Sequence, residues 1–213
     1  MAGRTRIKVC GITDNSEALL LAAMGIDALG FIFADKSPRK VHPDEARAII
    51  RSLPPFVDAV GVFVNEGLDT LNSIIHYCNI TLVQLHGDES PEYCQLIPAR
   101  VIKAFRISPA SSADEFAPYR GKVSGFLLDT FKPDMPGGTG KTFDWRMVRH
   151  LNPPGPIILG GGMAPENVED AVREVRPFAV DANSGVEISP GRKDMEKIRR
   201  LIDAVRNADR GKE

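Results

Sequence analysis

The amino-acid sequence predicts an α/β protein, a (β/α)8 barrel built from eight parallel strands. Three observations lead there. Short apolar, β-rich runs recur roughly every 20 to 30 residues with helical patterns between them, which indicates βα units and a parallel sheet. Eight such runs are present, the number that closes a barrel of this kind. The loop after the first run, Cys10-Gly11-Ile12-Thr13, lacks the G-x-G-x-x-G pattern that the alternative, an open doubly wound sheet, usually carries there.

The strands are expected at residues 6–11, 28–33, 57–64, 81–85, 101–106, 124–129, 156–160 and 178–182. Buried parallel strands are apolar on both faces, as in Ala28-Leu29-Gly30-Phe31-Ile32-Phe33 and Val60-Gly61-Val62-Phe63-Val64. Asp14 followed by Glu17 suggests a capping box for an Ala/Leu-rich helix that runs to Met24 and closes on Gly25. Pro43 with Asp44 and Glu45, Pro91 with Glu92 after Ser90, and Pro165 with Glu166 put proline in first helical turns. The acids then sit where the helix dipole favours them. Between the fifth and sixth strands, Ser108-Pro109 through Pro118 is poor helix material. The last helix is expected from about Asp194 to Asn207, where Ile198, Leu201, Ile202 and Val205 repeat at helical spacing. Residues 1–213 read as one domain, with its core over about 6–207 and a polar tail from Asn207 to Glu213.

Composition excludes several classes. The net charge is −1 with acids and bases interspersed, so no basic face points to nucleic acid or a membrane surface. No run approaches membrane-spanning length, and residues Met1 to Ile7 carry no apolar signal segment. The three cysteines, Cys10, Cys78 and Cys94, are odd in number and lack metal-like pairing, as expected for a soluble protein of the reducing cytosol. No His/Cys/Asp/Glu cluster has metal-ligand spacing, and no Ser/His/Asp nucleophile arrangement is evident.

The chemistry of a barrel gathers at the C-terminal strand ends. In order these hold Cys10, Arg39 in the loop after the second strand, Asn65, His86, Arg106, Asp129, the run Gly160-Gly161-Gly162, and Asp181 with Asn183. The stretches Pro156-Ile157-Ile158-Leu159-Gly160-Gly161-Gly162 and Val180-Asp181-Ala182-Asn183-Ser184-Gly185-Val186 each read as a buried strand stopping on glycine or small polar residues. Two adjacent loops of this type expose backbone N–H groups and form a cup for an oxyanion, most often phosphate. The last two strands of a (β/α)8 barrel are where that site commonly sits.

Cys10 sits at a strand end, and Lys8, two residues before it, shares its face and points into the barrel beneath it. A nearby ammonium favours thiolate, the form a base or nucleophile needs. Cys78 and Cys94 lie in helical patterns and read as small buried apolar residues. Asp129 ends the run Gly125-Phe126-Leu127-Leu128, where apolar surroundings raise a carboxyl's pKa and suit it to general acid work. The competing reading makes it a cap, or a partner for Lys103 or Arg106. His86 either positions substrate or bonds a loop carbonyl. Arg39 either clamps a substrate carboxylate or is a solvated surface arginine. Pro136-Gly137-Gly138-Thr139-Gly140-Lys141 lacks the full P-loop spacing and reads as a flexible lid over the pocket.

Several motifs together resemble one family. They are Lys8-Val9-Cys10-Gly11-Ile12, Gly30-Phe31 to Ser37-Pro38-Arg39, Val60 to Asn65, and Gln84-Leu85-His86-Gly87-Asp88-Glu89. To these add Gly137-Gly138-Thr139-Gly140 with Phe143-Asp144-Trp145, and Ser184-Gly185-Val186-Glu187 with Pro190-Gly191. From about Lys8 to Arg206 the sequence is similar to the phosphoribosylanthranilate isomerases of tryptophan biosynthesis. The resemblance implies a single-domain TIM barrel that works without cofactor or metal on a small phosphosugar, as a monomer or a homodimer. It implies that Cys10 is general base and Asp129 general acid, and that Arg39 holds the anthranilate carboxylate. Gly161, Gly162, Ser184 and Gly185 would bind the ribose phosphate through backbone, with Asp181 and Asn183 near the sugar. Two positions depart from the family pattern, which usually has alanine at Gly160 and serine at Asn183. Rival readings are indole-3-glycerol-phosphate synthase, which needs a catalytic lysine and glutamate, and a non-catalytic phosphosugar-binding barrel.

Overall fold

A computed structural model describes residues 3–129 and 145–211. Eight parallel strands close into a barrel: β1 (Arg6–Cys10), β2 (Ala28–Ile32), β3 (Asp58–Phe63), β4 (Leu82–Leu85), β5 (Arg100–Arg106), β6 (Gly125–Asp129), β7 (Ile157–Gly160) and β8 (Ala179–Ala182). Each pairs with the next in chain order, and β8 returns to β1. All eight lie within about one residue of the expected spans.

The helices are α1 (Asn15–Ala23), α2 (Pro43–Ser52), α3 (Leu68–Cys78), α4 (Pro91–Gln95), α5 (Trp145–Leu151), α6 (Val168–Val175) and α7 (Met195–Arg210). Between β5 and β6 two short 3-10 turns, Ala113–Glu115 and Ala117–Tyr119, stand in place of a helix, as the prolines there require. The predicted lid, Pro136 to Lys141, lies outside the described residues.

Register explains where the polar residues go. Side chains alternate along each strand, so Ile7 and Val9 face the helices while Lys8 and Cys10 face the barrel axis. Pairing carries the inward column round the sheet from Cys10 to Gly30, Val60 and Leu82. Through Gln84 and Ile102, Ala104 and Leu127, and Ile158 and Ala179 it reaches Asp181, which pairs with Lys8. The large core lies between strands and helices. Among the described residues the axis holds two small apolar clusters, one around Cys10, Ile32 and Val62, the other around Ile102, Leu127 and Ile158.

Three local expectations need correction, and one element was not foreseen. Asp14 caps α1 by accepting from Glu17 N at 2.8 Å, but Glu17 does not complete the box; its carboxylate accepts from Lys193 N at 3.2 Å. Pro165 and Glu166 lie in a turn before α6, because the Asn167 side chain accepts from Ala164 N and donates to Gly162 O, which closes that turn first. Asn207 to Arg210 continue α7: Ala208 is buried, and Asp209 accepts from both Thr5 N and Thr5 Oγ1 at 2.7 and 2.8 Å. Finally, after β8 the chain makes a small antiparallel hairpin, β9 (Glu187–Ser189) and β10 (Arg192–Lys193), turning on Pro190-Gly191.

Candidate active site

All eight strands run the same way, so their last residues share one end of the barrel. Cys10 ends β1 and Asp129 ends β6, three strands away round the closed sheet through β8 and β7, so the two inward columns nearly oppose each other.

The Cys10 side is a buried cluster of charge. Lys8 Nζ pairs with Asp181 Oδ1 at 2.8 Å, both nearly inaccessible. Gly30 is required beside them, since a methyl there would lie 2.7 Å from Cys10 Sγ and 3.2 Å from Lys8 Nζ. The neighbourhood expected of Lys8 is present, but its effect is outweighed. Burial pushes the Cys10 thiol up, Lys8 and Lys193 pull it down, Asp181 adds to the rise, and the balance stays above the ordinary thiol value. Burial works against the Lys8 ammonium, yet Asp181 carries its pKa upward, so the cation is secure. Asp181 therefore neutralises much of the charge that Lys8 could offer the thiol. Cys78 and Cys94 are buried thiols raised by burial, Cys94 to about 11.

Arg39 is not a solvated surface residue. Its Nε donates to Glu187 Oε1 and Oε2 at 2.9 and 3.0 Å, and Nη2 to Oε2 at 2.6 Å. Lys193 Nζ reaches the same carboxylate at 2.6 Å and also donates to Cys10 O at 2.6 Å and Asn183 Oδ1 at 3.2 Å. Burial disfavours the Glu187 carboxylate, but Arg39 and Lys193 together hold its pKa below the usual range. Gly11, at φ +78, lets this layer close, because a Cβ would lie 2.8 Å from Arg39 Cδ and 3.0 Å from Asn183 Oδ1. Asn183 is thus tied to Lys193. Sequence reasoning missed the roles of Glu187 and Lys193; the Ser189-Pro190-Gly191 turn was the available sign that they face each other.

The opposite side holds Asp129. Its Oδ2 lies 3.2 Å from His86 Nε2, and His86 Nδ1 lies 2.9 Å from Gln84 Nε2. His86 therefore bonds a carboxylate rather than a loop carbonyl. Lys103 is committed elsewhere, to Glu89 at 3.2 Å and to Gly87 O and Ala104 O at 2.7 and 2.9 Å. Glu89 in turn accepts from Asn65 N and Gly87 N, which fixes the loop that carries His86 and makes Asn65 a brace of that loop. Arg106 is exposed at the rim of a cavity of about 440 Å³ that His86 also lines.

The two glycine loops meet. Gly161 and Gly162 have φ of +83 and +77, a conformation that turns successive amides the same way. A methyl on Gly185 would lie 2.2 Å from Met163 O, so the loop after β8 packs directly on the loop after β7. Among the described residues, the N–H groups of Gly162, Ser184 and Gly185 donate to no protein acceptor.

A closed (β/α)8 barrel with a thiol, a carboxyl, a held arginine and a two-loop amide cup at one rim belongs to the class of barrel enzymes acting on small phosphorylated molecules. The family model described as N-(5'phosphoribosyl)anthranilate (PRA) isomerase matches residues 7–204, and the chain belongs to that family. The N-(5'-phosphoribosyl)anthranilate isomerase of Citrifermentans bemidjiense is 53% identical over 198 residues, 93% of this chain and 95% of its own. The crystal structure of phosphoribosyl anthranilate isomerase from Thermotoga maritima superposes with a TM-score of 0.88 at 43% identity, covering 95% of this chain and 99% of its own. A further solved structure, of a phosphoribosyl anthranilate isomerase in complex with reduced 1-(o-carboxyphenylamino)-1-deoxyribulose 5-phosphate, gives a TM-score of 0.84 at 40% identity, covering 95% of this chain and 99% of its own.

Proposed function

We propose that the chain isomerises N-(5'-phosphoribosyl)anthranilate to 1-(2-carboxyphenylamino)-1-deoxyribulose 5-phosphate by an acid–base Amadori rearrangement, as a cytoplasmic enzyme of tryptophan biosynthesis working as one barrel domain. Asp129, as the carboxylic acid, gives its proton to the ribose ring oxygen, which opens the ring to an imine. Cys10, as thiolate, removes the C2' proton, and the resulting enolamine tautomerises to the ketone. Amides of Gly161, Gly162, Ser184 and Gly185 hold the phosphate, and Asp181 and Asn183 border the sugar. The bonds of Arg39 to Glu187 use Nε and Nη2, which leaves the Nη1 edge for the anthranilate carboxylate. Gripping the substrate at both ends keeps the sugar between acid and base, so remote binding contributes to the reacting geometry.

The observation that carries this reading is the placement of Cys10 and Asp129 at the same end of the barrel, on nearly opposed inward columns. A base with a raised pKa is scarce as thiolate but strong once formed. Lys8 and Lys193 limit how scarce it becomes. The test follows loss of substrate fluorescence with Cys10→Ala and Asp129→Asn. Each is expected to lower kcat by about a thousandfold or more while a phosphate-bearing inhibitor still binds. Turnover within tenfold of wild type in either variant would remove that residue from the mechanism.

A further inference from the structure

Gln84 has no place in the chemistry just described, yet it is buried on the barrel axis with 1% of its surface exposed. Its register neighbours, Val62 and Ile102, are apolar. Its amide makes one hydrogen bond, to His86, and Oε1 is buried with no partner among the described residues. A buried amide left half satisfied costs stability that an apolar side chain of the same length would not. Packing therefore does not explain it.

The geometry does. Gln84 lies on β4 and His86 is the residue that follows its end, where His86 N still donates to Phe63 O of β3, so the extended alternation puts both on one face, with His86 above at the mouth and Asp129 beyond it. An amide N–H pointing at Nδ1 requires that nitrogen to be the acceptor, and the neutral imidazole then carries its proton on Nε2. The Nε2–H in turn donates to Asp129 Oδ2. With both ring nitrogens occupied, His86 has no free lone pair to draw off the proton of a carboxylic acid, and that proton is kept on Oδ1. In the other tautomer a bare Nε2 would compete with the substrate for it.

We infer that Gln84 is a positioning residue, which acts through His86 to keep the transferable proton of Asp129 on Oδ1, away from the imidazole. This rests on the reading of Asp129 as the general acid. The test compares wild type with Gln84→Met, which removes the amide at similar length, and Gln84→Glu, whose acceptor favours the opposite tautomer. The ring-nitrogen NMR shifts of His86, assigned against His86→Asn, are recorded at pH 8 beside kcat, KM and Tm. Wild type is expected to show protonated Nε2 and bare Nδ1. Gln84→Met should show mixed tautomers, an unchanged or higher Tm, and a kcat at least tenfold lower at similar KM; Gln84→Glu should show protonated Nδ1. Protonated Nδ1 in wild type overturns the proposal, as does a Gln84→Met protein that keeps either the wild-type shifts or the wild-type kcat. A lowered Tm accompanying the loss of kcat would mark Gln84 as structural and also overturn it. Full activity in Asp129→Asn would instead remove the acid assignment, whatever the shifts show.

Discussion

The contact between the two glycine loops makes Gly185→Ala the sharpest test of the amide cup. The added methyl would sit 2.2 Å from Met163 O and 2.9 Å from Met163 C, about 1.2 Å inside the 3.4 Å at which ordinary contact begins. Both neighbours are backbone, so no rotamer change relieves the overlap, and the loops after β7 and β8 must part by about an ångström. A displacement of that size at a substrate-positioning element costs about a hundredfold in rate, near 2.7 kcal/mol. If the cup holds the phosphate as proposed, a remote part of the substrate, the loss should fall on kcat/KM, and ribose 5-phosphate should inhibit correspondingly less well. Gly160→Ala is the control. Its methyl would meet Leu127 Cδ2 at 3.2 Å, the far end of a flexible side chain that gives by a few tenths of an ångström. That variant should stay within about threefold of wild type. Steady-state kinetics by substrate fluorescence reads both. Equal damage from the two substitutions, or a Gly185→Ala enzyme within about threefold of wild type, would refute the placement of the phosphate between these loops.

Three further outcomes follow from the charges. Since burial raises the Cys10 thiol, its alkylation by iodoacetamide, followed by peptide mass spectrometry, should show a pH midpoint above the ordinary thiol value of about 8.5; a midpoint near 7 would mean Lys8 prevails over burial and Asp181. Glu187→Gln leaves Arg39 and Lys193 facing each other. Thermal unfolding at pH 7 should show a loss of about 3 kcal/mol, the low end for a broken buried pair because Arg39 is partly open to water. The sign with pH is fixed by the depressed Glu187 carboxyl. Its stabilisation is complete above the ordinary carboxyl value and is lost as pH falls through its own lower one, so the gap between wild type and variant should narrow in acid. At the other end of the barrel, Asp209→Ala frees the N–H of the buried Thr5 and should cost about 1–3 kcal/mol in urea unfolding while kcat and KM at 25 °C stay unchanged; altered kinetics would contradict the separation of the two ends.

The strands were legible because each signal is local: a short apolar run, a helix start, a turn, repeated eight times. The alternation that placed Lys8 beneath Cys10 is equally local and holds. Every miss joins parts of the chain that lie far apart or are too short to show a period. Lys193 meets the carbonyl of Cys10 across 183 positions, and Arg39 meets Glu187 across 148, while β9 and β10 are shorter than any run whose alternation could be read. Reading Cys10 from Lys8 alone failed for the same reason, since Asp181, which arrives from β8, offsets the lysine. Yet the chain did carry a usable sign. Lys8, Gln84 and Asp181 each put a polar group at a buried inward position of a strand whose other buried residues are apolar, which breaks the pattern that buries a barrel. A buried polar group needs a partner, and in a parallel barrel that partner stands at the same level on another strand or one step along its own. Lys8 finds Asp181 by the first route, directly across the β1–β8 register, and Gln84 finds His86 by the second. Matching inward polar positions by level around the predicted sheet would therefore have found both contacts before any coordinates, and it separates Gln84 from the ordinary core in a way that composition and helical periodicity do not.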